Sequence, residues 1–327
     1  MLRLGLCCTF LEAPIKFRTT TARHVSGLDA PRRVEFLREL ALHNAAALAL
    51  ACGWCAEHRV GAFRVNSGIL PLYTHPQVGW SLAGPEGAGV AEALRAAGAR
   101  ARAGGVRLSF HPDQFVVPGS QNPEVVESSL RELEYQAEVA ALIGAEQLTI
   151  HGGGAQGGKP ENLARLGRAL DRLSPRARAV VALENDDRVY TVLDLLPLCE
   201  AAGVPLVYDA HHHRCNPDGL TIEEATERAA ATWNGREPWA HISSPCVPWT
   251  ADGDHRPHAD YIDPADVPAC WRTRTMTVDV EAKAKELAVL RLGRWLRGEV
   301  EPPPAPTAAK AKAPAKAKAP ARARARA

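Results

Sequence analysis

Five histidines and three carboxylates in this chain stand where short apolar runs turn polar, and these are residue types that bind divalent cations. V-A-L leads into Glu184-Asn185-Asp186-Asp187, and P-L-V-Y leads into Asp209-Ala210-His211-His212-His213. Other apolar runs close on His111, His151 and Glu281, W-A-H-I-S carries His241, and His258 lies in the loop after it. A lone histidine at a strand end is usually a hydrogen-bonded structural group, and His211 and His213 read that way, or the triplet as a solvated turn. Eight such groups together are hard to explain without metal. Nitrogen and oxygen donors with no thiolate suit Mn²⁺, Zn²⁺ or Fe²⁺. The set His111, His151, Glu184, Asp209, His212, His241, His258 and Glu281 is large enough for two or three divalent cations, with Mn²⁺ foremost. A carboxylate such as Glu184 can bridge two cations, as two-metal hydrolytic sites require. Glu184, Asp209, Glu281 and His241 are the expected catalytic members.

Such a set needs a scaffold that brings eight segment ends together. Strand-like runs recur at residues 2–8, 61–67, 106–111, 147–151, 181–184, 205–209, 239–243 and 276–281, with helical patterns between them. The runs are short and apolar, as strands buried on both faces are. Asn122-Pro123 reads as a helix cap and first turn, and Gly144 and Gly203 read as helix stops. Eight alternations predict an α/β fold, a single (β/α)8 TIM barrel over residues 1–302, with the polar groups at the C-terminal ends of its strands. Gly152-Gly153-Gly154 lacks the Lys-Ser/Thr of a phosphate loop and is read as allowing close approach to the metal floor, so no nucleotide cofactor is expected.

Hydrophobic residues make up 46% of the 327, enough for a core. No apolar run reaches the 18 residues of a membrane span, and the N-terminus lacks the order of a secretory signal. Eight scattered cysteines fit a cytoplasmic protein with reduced thiols, and Cys52-Gly-Trp-Cys55 falls inside a predicted helix. The overall net charge of +2 conceals an asymmetry. Residues 303–327 carry seven Lys or Arg and no acid, leaving a net of −5 on the rest. This Ala/Pro/Lys/Arg-rich stretch cannot bury enough surface to offset ordering, so a disordered basic tail is expected. It would either solubilise the protein or attract phosphate backbones through counterion release.

Six segments carry a resemblance: H-P-D-Q-F from His111, N-P-E-V-V-E from Asn122, I-H-G-G-G from Ile150, L-E-N-D-D-R from Leu183, Y-D-A-H-H-H from Tyr208 and V-E-A-K-A-K-E from Val280. Together they resemble the UV damage endonuclease family, relatives of endonuclease IV within the xylose-isomerase-like barrels, over about residues 1–297. The resemblance implies a DNA-repair enzyme that incises damaged double-stranded DNA 5′ of UV photoproducts, cyclobutane dimers and 6-4 photoproducts, and it assigns the same eight ligands. It also implies that Gln114 and Phe115 probe the lesion, with phenylalanine where the family has tyrosine. Two further departures stand out. Trp239 occupies a position where the family often has a lysine that can be carboxylated, and C-C-T-F-L replaces a first-strand end that usually leads to an asparagine. A monomer in the cytoplasm, associated with the nucleoid when bound to DNA, is expected. A metal-dependent sugar isomerase or epimerase on the same scaffold is the alternative, as is a DNA-binding protein with a structural metal.

Overall fold

The apolar runs satisfy their backbone groups by pairing side by side, and in the computed structural model, which describes residues 2–299, the pairing closes on itself. The strands are β1 (Leu2–Cys7), β2 (Ala62–Val65), β3 (Arg107–Phe110), β4 (Gln147–His151), β5 (Val181–Glu184), β6 (Leu206–Asp209), β7 (Trp239–Ile242) and β8 (Met276–Val280). All are parallel, in sequence order around the ring, with β1 paired to both β2 and β8. The expected TIM barrel is therefore the observed fold. The proposed basic tail from residue 303 lies outside the described residues.

Helices cross between the strands with the caps the sequence suggests. Asn122 accepts the Glu124 N–H before the helix Pro123–Ile143, which Gly144 ends in the left-handed conformation. Thr191 and Asp194 form a reciprocal capping box, and Gly203 ends that helix in the same way. Several boundaries differ from expectation. The helix before β3 begins only at Val90, because Pro85–Gly87 forms a separate 3-10 turn and Gly89 takes a positive φ of 77°. The second strand stops at Val65, where Asn66 turns its side chain back onto the Gly68 N–H. The His-His-His triplet is not a solvated turn. It lies in the helix Ala210–Cys215, capped by Asp209, with His211 and His213 buried.

Two layers inside the barrel position the site. Ala62, Ala182, Val207 and Trp239 form a small apolar cluster with Trp233, apart from the main core. Side chains two residues along a strand share a face. The next inward layer toward the C-terminal end is therefore Arg64, Glu184, Asp209 and His241, all buried. Trp239 fills the floor on which the charged layer rests. The Arg107 guanidinium stacks on its ring, 4.3 Å from the ring centre.

Candidate metal centre

Glu184 is the hub. At the end of β5 it is fully buried, and four imidazoles face its two oxygens. His111 Nε2 lies 2.9 Å from Oε2 and His151 Nε2 3.7 Å from it. His241 Nδ1 lies 2.8 Å from Oε1 and His212 Nδ1 3.4 Å from it. Burial disfavours the charge on Glu184, but His241, His151 and the close approach of His111 and His212 outweigh it and hold the carboxyl well below the usual range. Asp209 at the end of β6 spends Oδ1 on the His212 backbone N–H, 2.7 Å away, and its buried Oδ2 has no hydrogen-bond partner, with His212 Nδ1 3.7 Å off. His212 is pushed well above its usual pKa, burial being overcome by Asp209 and Glu184. His151 moves the other way, chiefly through burial.

The ends of β5 and β6 are locked in register by Asn185. Its amide donates to the Asp209 carbonyl at 2.9 Å and accepts the Asp209 N–H at 2.9 Å. Orientation of the rings is fixed from outside the cluster. His111 Nδ1 is 3.0 Å from the Pro112 carbonyl, which can only accept, so Nδ1 carries a proton and Nε2 is the nitrogen turned to Glu184. In the neutral ring that nitrogen presents a lone pair to a carboxylate, an arrangement a cation resolves. Two groups of three donors each lie within 4.8 Å of one another: His111, His151 and Glu184, and Glu184, Asp209 and His212. Glu184 belongs to both, the disposition a bridging ligand needs. The bare Asp209 Oδ2 and His151 Nδ1, and a cavity of about 300 Å³ lined by Cys8, Arg64, His111, His151, Glu184, His212 and Glu281, fit bound divalent cations.

The remaining expected ligands form a second half of the site. His241 Nε2 is 2.8 Å from an Arg64 nitrogen, which can only donate, so His241 gives its Nδ1 proton to Glu184. Glu281, one residue past β8, pairs with Arg64 at 2.6 Å. Its Oε2 lies 3.8 Å from Nδ1 of His258, which an isolated bridge to Pro245 holds in the loop after β7. All eight sequence-selected residues are thus brought to one end of the barrel. Gln114 and Phe115 are exposed in the loop after β3, Phe115 at 76%. Leu11, 55% exposed, occupies the loop after β1 at the same end.

Sequence reasoning missed three members. Arg64 and Asp279 are buried charges inside otherwise apolar strands, A-F-R-V and V-D-V, and that incongruity was the available signal. Glu286 accepts the backbone N–H groups of Leu11, Glu12 and Ala13 at 2.6–3.0 Å and so fixes the first loop. In the glycine run after His151, one position makes room for a neighbouring ring. A Cβ at Gly152 would strike the Tyr190 ring, so the glycine admits that ring. His213 binds Tyr208 and Asp218, and His211 approaches the Arg256 carbonyl, both outside the cluster. Cys52 and Cys55 are buried free thiols in the helix Ala30–Glu57.

A parallel barrel with imidazoles and carboxylates converging on its C-terminal end defines the class as a TIM barrel with a candidate metal centre. The model of the family described as UV-endonuclease UvdE matches residues 2–304, and the chain belongs to that family. It is 36% identical over 307 residues to the UV DNA damage endonuclease of Deinococcus radiodurans, covering 89% of this chain and 94% of that protein. The UV DNA damage endonuclease of a Nostoc strain is 30% identical over 302 residues, 89% of each chain. The crystal structure of SacUVDE superposes with a TM-score of 0.78 at 26% identity, covering 91% of this chain and 99% of that one.

Proposed function

We propose that the chain is a metal-dependent DNA-repair endonuclease that incises the phosphodiester bond 5′ of UV photoproducts, cyclobutane dimers and 6-4 photoproducts, and leaves a 3′-hydroxyl. Family membership supports an endonuclease acting on UV-damaged DNA. The observation that carries the metal dependence is Glu184, whose two oxygens serve two donor groups beside the bare Asp209 Oδ2. Glu184, His111, His151, Asp209 and His212 would hold two ions, with Glu281, His241 and His258 available to a third. Bound divalent cations, Mn²⁺ foremost, supply an activated water and charge neutralisation at a phosphodiester. The residues of the chain orient that chemistry. Asn185 keeps Glu184 and Asp209 level, Pro112 sets the His111 ring, and Arg64 sets the His241 tautomer.

Exposed apolar side chains on the rim support a duplex substrate over a small sugar. Phe115 and Leu11 are two of four large apolar side chains left exposed among the described residues, and both stand on loops at the site's end of the barrel. An aromatic wedge between base steps unstacks a duplex, and a damaged step resists least. End-mapping on a duplex with one defined cyclobutane dimer tests the reading. A single nick immediately 5′ of the dimer with a 3′-hydroxyl is expected; a nick 3′ of it, or none with Mn²⁺ present, would refute it.

A further inference from the structure

Two residues without a place in that scheme, Gly5 on β1 and Asp279 on β8, meet Arg64 of β2 beside the cluster. Asp279 is fully buried, and its Oδ1 has no hydrogen-bond partner. Its Oδ2 accepts Arg64 Nε at 3.0 Å and lies 3.8 Å from His241 Nε2. Space for this carboxylate exists because residue 5 is glycine: a Cβ there would collide with Asp279 Oδ1. Gly5 has no positive φ, so room rather than backbone conformation requires it. From its anchor on Asp279, the Arg64 guanidinium reaches Glu281 Oε1 at 2.6 Å and His241 Nε2 at 2.8 Å.

The consequence is a difference between the two halves of the centre. Around Glu184 the donors face one another, whereas Glu281 and His241 already face a cation built into the chain. A divalent ion at Glu281 must compete with that guanidinium, and the strength of the competition depends on the charge left on it. Asp279 draws the guanidinium toward β8 and offsets its charge. Both groups are buried, so their interaction is only weakly screened by salt.

We propose that Asp279 and Arg64 are a positioning pair that sets how tightly the Glu281 half of the centre holds a divalent cation, Arg64 as competitor and Asp279 as its counterweight. This rests on the metal reading above. It assigns opposite effects to two residues in contact, which a purely structural pair would not show. Partners that orient metal ligands typically change metal affinity by about 10–100-fold when altered.

The test is Mn²⁺ binding to the chelator-stripped full-length protein without DNA, followed by the paramagnetic resonance of free Mn²⁺. Wild type should show a tight class of sites and a weaker one. Asp279→Asn should weaken the weaker class about tenfold, and Gly5→Ala should act in the same direction by displacing the carboxylate. Arg64→Met should tighten it about tenfold, and Arg64→Lys, which keeps a charge, should do so less. Where a single variant leaves a buried charge that prevents folding, the Arg64→Met/Asp279→Asn double variant leaves neither charge and should bind at least as tightly as wild type. Weakening in both Arg64→Met and Asp279→Asn, or a double variant as weak as Asp279→Asn, would overturn the proposal. So would an isotherm unchanged in every variant. A wild-type protein that takes up no Mn²⁺, Zn²⁺ or Fe²⁺ would instead remove the metal reading itself.

Discussion

The two ends of the same barrel treat charge in opposite ways. At the N-terminal end, Arg107 bonds Glu146 at 2.7 Å, Thr277 at 2.6 Å and Glu237 at 3.1 Å. Arg3 and Thr277 meet the same Glu237 oxygen at 3.1 and 2.7 Å. Each charge there has its opposite, and the unpartnered buried atoms lower in the barrel, Ser109 Oγ, Gln147 Nε2 and Trp239 Nε1, are neutral. At the C-terminal end, unpartnered oxygens of Asp209 and Asp279 and a nitrogen of His151 are buried among groups that cannot all satisfy one another. An unpaired buried charge costs several kcal/mol. A closed network is what stability alone requires; the open one is what the proposed cations would complete.

The largest effect should come from the hub. Glu184→Gln keeps the shape but removes the negative charge both donor groups share, and metal assistance is worth several kcal/mol of transition-state stabilisation. Incision should fall by about 10³-fold or more, with an unchanged circular dichroism spectrum and reduced metal content. Wild-type turnover in this variant would make the open end as structural as the closed one.

Next in size is the rim. Phe115→Ala should cost about 1–3 kcal/mol of lesion discrimination through lost stacking. Metal content should not change, since Phe115 is exposed on its loop and is not one of the proposed ligands. Competition binding of damaged against undamaged duplex measures it, and an unchanged preference would remove Phe115 from recognition. At the closed end, Arg107→Met breaks charge-assisted bonds to Glu146 and Glu237. Unfolding free energy in urea should fall by about 1–3 kcal/mol while turnover per folded molecule stays constant. Loss of turnover without loss of stability would reverse the roles of the two ends.

The smallest effect concerns Glu286 and the first loop. Burial opposes its charge, yet the N–H groups of Leu11, Ala13 and Glu12 hold its carboxyl below the usual range. A depressed carboxyl contributes stability above its unfolded pKa of about 4.3 and loses it as pH falls through the folded value. The melting-temperature gap between wild type and Glu286→Gln should therefore be constant from neutral pH down to about 5 and close below about 4. A gap that widens on acidification would exclude the carboxylate as the clamp.

Much of this was legible in the sequence, for definite reasons. Buried parallel strands read as short apolar runs, and their ends are the only places where E-N-D-D and D-A-H-H-H can leave the core, so strand ends and site residues came together. Asn122, Gly144 and Gly203 announced helix boundaries because capping is local chemistry. What was not legible depends on which residues the ring closure brings together. Arg64 and Asp279 are 215 positions apart and paired only because β1 lies between β2 and β8. Gly152 looked permissive until Tyr190 occupied its space. His212 was singled out from the HHH triplet, but the short helix that carries it and the Asp209 cap that opens that helix were not.

If divalent cations complete the open end, incision depends on them. Single-turnover incision of a duplex with one defined cyclobutane dimer, by protein stripped with chelator and then titrated with Mn²⁺, addresses that dependence directly. The stripped protein should bind the duplex yet leave it intact, and activity should return in step with bound Mn²⁺. Full incision by protein verified to contain no divalent metal would contradict the claim.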